Sequence, residues 1–81
     1  MSFEDAYKEA CRYVKYEKAK EISKIVDIGD SWIFFIDYGY VDYGGSPVQI
    51  EKESGLGYLF TLNDEDNRNR IREGKIIEVP K

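Results

Sequence analysis

The sequence predicts an α+β domain, with an N-terminal amphipathic helix packed on an antiparallel meander of four to five strands and a short helix near the C-terminus. Three observations carry that reading. An apolar stripe of helical period opens the chain, and aromatic and β-branched runs of period two follow between glycine-rich turns. An acidic run then passes into a basic one near the end. Eighty-one residues make one domain, 1–81, with a single core. Seven Tyr, four Phe and one Trp enlarge that core, since each buried aromatic removes roughly 150–250 Å² from water.

Ser2-Phe3-Glu4-Asp5 has the form of a capping box, in which the Ser2 hydroxyl serves the unpaired N–H groups of a helix start. Phe3, Ala6, Tyr7, Ala10, Cys11, Tyr13 and Val14 then form a helical stripe, and acids at the start with lysines at the end suit the helix dipole. This predicts a helix from Phe3 to about Tyr16. Glu21 to Ile28 reads as a strand with Ile22, Val26 and Ile28 on one face and Ile25 on the other. Gly29-Asp30 turns the chain into Ser31–Tyr38, which is apolar on both faces at its start and so belongs in the middle of the sheet. Pro47 cannot donate to a ladder and marks the entry of the next strand, Val48 to Lys52. Glu53-Ser54-Gly55 leads to a fourth strand, Leu56 to Thr61, with Leu56, Tyr58 and Phe60 on one face. Asn63 or Asp64 caps a short helix through Arg72, Gly74 suits its stop, and Lys75 to Val79 returns as an edge strand.

Several kinds of chemistry find no footing in this chain. Histidine is absent, which removes the commonest general base and metal ligand. Cys11, the lone cysteine, lies on the apolar stripe and reads as a core residue rather than a nucleophile. Asp64-Glu65-Asp66-Asn67-Arg68-Asn69 has Asn69 where a calcium loop needs glycine, Lys75 where it needs glutamate, and Arg68 at a ligand position. The sequence therefore suggests no enzyme, cofactor or metal site. One cysteine allows no internal disulfide, Met1–Asp5 lacks the features of a signal peptide, and no apolar run nears the ~20 residues of a membrane span. A cytoplasmic protein is the simplest expectation.

The net charge of −4 is unevenly spread. Residues 25–66 hold nine acidic groups against Lys52 alone, whereas the two ends are weakly basic. Such a middle repels nucleic acid and attracts basic partners. Within it, Tyr38, Tyr40 and Tyr43 alternate with Asp37, Asp42 and three glycines. Tyrosine supplies contact area and a hydroxyl at little entropic cost, and glycine lets a partner approach the backbone. The same rings could instead fold back on the sheet, and both readings stand.

Trp32-Ile33-Phe34-Phe35, Gly45-Ser46-Pro47-Val48-Gln49-Ile50 and Lys52-Glu53-Ser54-Gly55, behind the N-terminal helix, resemble the YrhB-like family (immunity protein family thirty-five) of bacterial polymorphic toxin systems. The likeness spans about residues 3–62, and its motifs mark the fold: Trp32 and Phe34 anchor the core, Gly45 and Pro47 set a strand entry, and Ser54-Gly55 makes a hairpin. The resemblance implies a non-enzymatic protein that binds and neutralises a cognate toxin domain; a chaperone-like role has also been attached to the family. The partner-binding candidates are Asp30, Asp37, Tyr38, Tyr40, Asp42 and Tyr43, facing a basic toxin domain, with no nucleic acid or membrane partner. The chain is expected to be a monomer or weak homodimer. The alternative is a small chaperone that binds unfolded clients through an apolar sheet face at Ile33, Phe35, Val41 and Leu59. A third option, a hydrolase or metal protein using Asp27, Asp30 and Asp37, lacks histidine or cysteine support.

Overall fold

The computed structural model describes residues 1–37 and 47–80. Its first helix, α1 (Phe3–Tyr16), begins where Ser2 Oγ accepts the Asp5 N–H at 3.2 Å. It ends through Lys18, whose φ of 57° breaks the helical path, while the Ala19 N–H returns to the Val14 carbonyl at 2.9 Å. Ala6 and Ala10 are fully buried on its inner face, and their small side chains let the helix backbone approach the sheet.

Five strands follow: β1 (Glu21–Asp27), β2 (Ser31–Asp37), β3 (Val48–Glu51), β4 (Gly57–Leu59) and, after helix α2 (Glu65–Glu73), β5 (Lys75–Ile77). All neighbours pair antiparallel, in the order β4-β3-β2-β1-β5. The fold is thus α+β, as expected, with β2 at the centre of the sheet. The first four strands form a meander. The fifth does not extend it past β4: α2 carries the chain to the far edge, where β5 pairs with β1. Asp64 caps α2 by accepting the Asp66 N–H at 2.8 Å.

The central strand decides the layering, because its alternate side chains are apolar in both directions. Trp32 and Phe34 point toward α1 and join Ala6, Ala10, Ile22, Ile25, Val48 and Ile50. The Phe3 ring stands edge-on to Trp32 at 5.7 Å and stacks on Phe34 at 6.3 Å. On the opposite face Ile33 packs with Val26 and Phe60, flanked by Phe35, Ile28 and Ile71 of α2. A buried Ser31 hydroxyl at the strand's start accepts the Gln49 Nε2 donor at 2.9 Å.

Four expectations need correction. Ile22 and Ile25 share the α1 face, instead of lying on opposite faces, because a bulge between Ile22 and Lys24 inserts Ser23 and shifts the alternation by one. The fourth strand is only Gly57–Leu59, and none of its side chains is buried; Phe60, just beyond, turns into the second core. Cys11 is exposed, since one step beyond Ala10 moves it about 100° around the helix and off the buried stripe. The four residues proposed for chaperone-like binding do not form one exposed face: Ile33 is fully buried, Phe35 is half-buried, and Leu59 lies on the α1 side, in register with Val48. Val41 lies outside the described residues.

Two glycines are required for different reasons. Gly29 has φ +104° in the β1–β2 turn, where a side chain would be strained although open space surrounds it. Gly74 has an ordinary φ of −73°, but a Cβ there would sit 2.5 Å from Val26 Cγ1 and 2.9 Å from the Asp27 carbonyl. It lets the end of α2 meet β1 directly.

In urea titrations Ile25→Val should cost about 1 kcal/mol and Phe34→Ala about 3–5 kcal/mol. The larger loss is comparable with the whole stability of a domain this size, so Phe34→Ala should abolish the cooperative transition. Gly74→Ala should cost about 1–3 kcal/mol through overpacking, whereas Ile76→Ala, at an exposed position, should stay within about 0.5 kcal/mol of the parent.

Candidate functional site

Two carboxylates of the acidic middle, Asp27 and Asp30, are paired with cations in the fold. Asp27, at the end of β1, accepts two contacts from Lys52 Nζ at 2.8 and 2.9 Å and the Gly29 N–H at 2.9 Å. The same ammonium lies 5.2 Å from the centre of the Trp32 ring. Partial burial works to raise the Asp27 pKa, but the Lys52 bond and charge, the Gly29 N–H and the more distant Lys75 outweigh it and leave the value below that of an ordinary aspartate. Asp30 Oδ1 accepts Arg70 Nη2 at 2.7 Å, which ties the β1–β2 turn to α2. Both aspartates therefore carry cations from distant parts of the chain.

Asp30 and Asp37 flank opposite ends of β2, about 23 Å apart at the rise of an extended strand. They cannot share one compact patch. Asp37 is half-buried, and its carbonyl accepts the Lys20 N–H at 2.8 Å. Tyr38, Tyr40, Asp42 and Tyr43 lie outside the described residues. Of the carboxylates considered for a hydrolytic or metal site, Asp27 is occupied by Lys52 and Asp30 by Arg70. Among the described residues no group of three or more Cys, Asp or Glu side chains is placed to hold a metal ion. No helix among them is long and apolar enough to cross a membrane.

A concave feature of the described residues lies elsewhere. α1 rests on β1 and β2, so the α1-side face of β3 and β4 is left beside the helix rather than beneath it. The result is a groove of about 820 Å³, large enough to receive side chains of a partner. Val48, Ile50, Gly57 and Leu59 line it on the sheet side, and Glu9, Arg12, Tyr13, Lys15 and Tyr16 on the helix side. Its outer lip is apolar and open to solvent: Leu59 is 62% exposed and Tyr16 83%. Arg12 donates to Glu9 at 2.8 Å, so these two charges offset each other. Lys15 adds a cation with no carboxylate within ion-pair distance among the described residues.

Among the described residues, the strand beside the groove is an edge with little protection. Ser54 to Asn63 carries no charged residue and no proline, in a chain that is 35% charged. At the other edge β5 lies among Glu73, Lys75, Glu78 and Pro80, which deter pairing with another chain. The uncharged run was visible in the sequence, as was the Glu9-Arg12-Tyr16 stripe on the outer side of the first helix. Their meeting across β3 depends on where α1 lies on the sheet, which no local pattern states.

No protein-family model, no curated protein and no solved structure matches this chain. The motif resemblance to the immunity family accordingly bears on function as a proposal.

The Asp27–Lys52 pair generates a pH prediction. A carboxyl with a depressed folded pKa stabilises the fold fully above its unfolded value of about 3.9 and loses that contribution as pH falls through the lower folded value. Asp27→Asn should therefore be less stable than the parent at neutral pH. The two should converge below pH ~3.9 when unfolding is measured across the acid range. Parallel curves would show that the pair contributes nothing.

Proposed function

We propose that this chain is a non-enzymatic binding protein that neutralises a cognate toxin domain by direct contact, and that the α1–β4 flank is its docking surface. One observation supports this above the others: a small, well-packed sheet leaves an uncharged edge and exposed apolar side chains beside an open groove. Exposed apolar area of this kind, rimmed by polar residues, is a common feature of protein-docking surfaces. The paired Asp27 and Asp30 work as internal ties, so the acidic character of the middle segment steers a partner more weakly than the sequence suggests. The chain's net charge of −4 still favours an oppositely charged partner at long range.

The role implied by the motif resemblance fits this geometry, since a toxin domain can be silenced by covering its working surface without chemistry. The test has two stages. Tagged protein should capture from lysate of its source bacterium one protein with a growth-arresting domain, and co-expression of this chain should relieve the arrest. Leu59→Glu should retain the circular dichroism spectrum of the parent but weaken capture by about thirtyfold, the loss typical of a hot-spot residue of ~2 kcal/mol. Equal protection by parent and variant would remove the flank from the proposal. Failure to find any growth-arresting partner would remove the immunity role.

A further inference from the structure

The way β4 pairs with β3 assigns a binding mode to this flank, and here the inference rests on the protein-binding reading above. The Glu51 N–H donates to the Leu56 carbonyl at 3.0 Å and the Phe60 N–H to the Pro47 carbonyl at 2.8 Å. These bonds frame the register Val48↔Leu59, Gln49↔Tyr58 and Ile50↔Gly57. In an antiparallel ladder, residues alternate between facing the partner strand and facing away. The N–H and C=O groups of Gly57 and Leu59 consequently point outward from the free edge, while Tyr58 turns its own toward β3. Two residues two apart thus present the donor–acceptor spacing that an incoming strand needs.

The same two positions direct their side chains to the α1 side, where the groove lies. Leu59 supplies an apolar contact, and Gly57 supplies none, so the side chain opposite Gly57 in an added strand has room to enter over Ile50. The helix wall above this point carries Arg12, Lys15 and Glu9. With Glu9 bonded to Arg12, the wall is net cationic.

We propose that β4 receives an extended segment of the partner protein as a sixth strand, with an apolar side chain opposite Gly57 in the groove and an acidic side chain near Lys15. This local preference is opposite in sign to the long-range preference of the whole chain. A second copy joined β4 to β4 is a poorer occupant, because Ser54 to Asn63 offers no carboxylate to Lys15.

Selection of a displayed random peptide library on the immobilised full chain tests this. Enriched peptides should alternate apolar and polar residues and carry Asp or Glu. An enriched synthetic peptide should shift the amide signals of Gly57 and Leu59 in the ¹⁵N-labelled protein. The double variant Arg12→Glu/Lys15→Glu should switch the enriched charge to Lys or Arg. Gly57→Pro removes an outward N–H without removing a ladder bond, and should weaken the peptide at least tenfold while β3–β4 pairing persists in the spectrum. Enrichment that ignores the charge reversal, shifts elsewhere on the surface, or no enrichment would overturn the proposal. So would a concentration-dependent dimer whose dissociation shifts the same two amides. Acidic peptides bound here without any toxin partner would preserve the strand-addition site and dismiss the immunity role. A toxin domain held at another surface would do the reverse.

Discussion

Everything in this fold depends on β2 being apolar in both directions. A strand with Trp32 and Phe34 on one side and Ile33 and Phe35 on the other cannot rest with either face in water. One side receives α1. The other has to be covered by residues that arrive after the fourth strand, and so the chain leaves β4 through Phe60, crosses beneath the sheet as α2 and returns as β5. The Asp30–Arg70 pair and the close approach of Gly74 to β1 fix that crossing at its C-terminal end. The groove follows from the same constraint. A helix of 14 residues that covers the two longest strands, β1 and β2, leaves the shorter β3–β4 hairpin at its side.

Much of this was legible in the sequence because the signals were local. The capping Ser2, the 3–6–7–10–13–14 stripe and the glycine turns act over a few residues, and the structure reproduces α1 as the pattern predicts. The central place of β2 was legible too, since a strand apolar on both sides has few places to go. The errors came where one residue changed a period or a distant partner intervened. Ser23 bulges and reverses the face of every residue after it, so Ile22 and Ile25, three apart in Ile22-Ser23-Lys24-Ile25, share a face that strict alternation denies them. Cys11 is one helical step outside a stripe that seemed to include it.

The candidate site was less legible than the fold, for a physical reason. Counting charges along the chain treats each carboxylate as free, but a folded domain places cations from elsewhere against them. Lys52 lies 25 residues beyond Asp27, and Arg70 lies 40 beyond Asp30. Two of the nine acids of residues 25–66 became ties in space. The uncharged run through β4 behaved differently: absence of charge needs no partner to persist, so it survived folding as an exposed edge.

The route of the C-terminal segment also sets an order of stability. In the meander from β1 to β4 each strand pairs with its neighbour in sequence, whereas β5 must find a strand laid down near the other end of the chain. α2 has no buried residue, and β5 only one that is half-covered. This unit therefore belongs, with β4, to the least buried parts of the domain, where local opening costs least. When it lifts, Val26 and Ile33 lose their cover and the outer side of β1 becomes a second free edge. The sheet would then present an open edge to other chains at both ends, so the β1–β5 ladder, Ile71 and the Asp30–Arg70 pair guard against association as well as against unfolding.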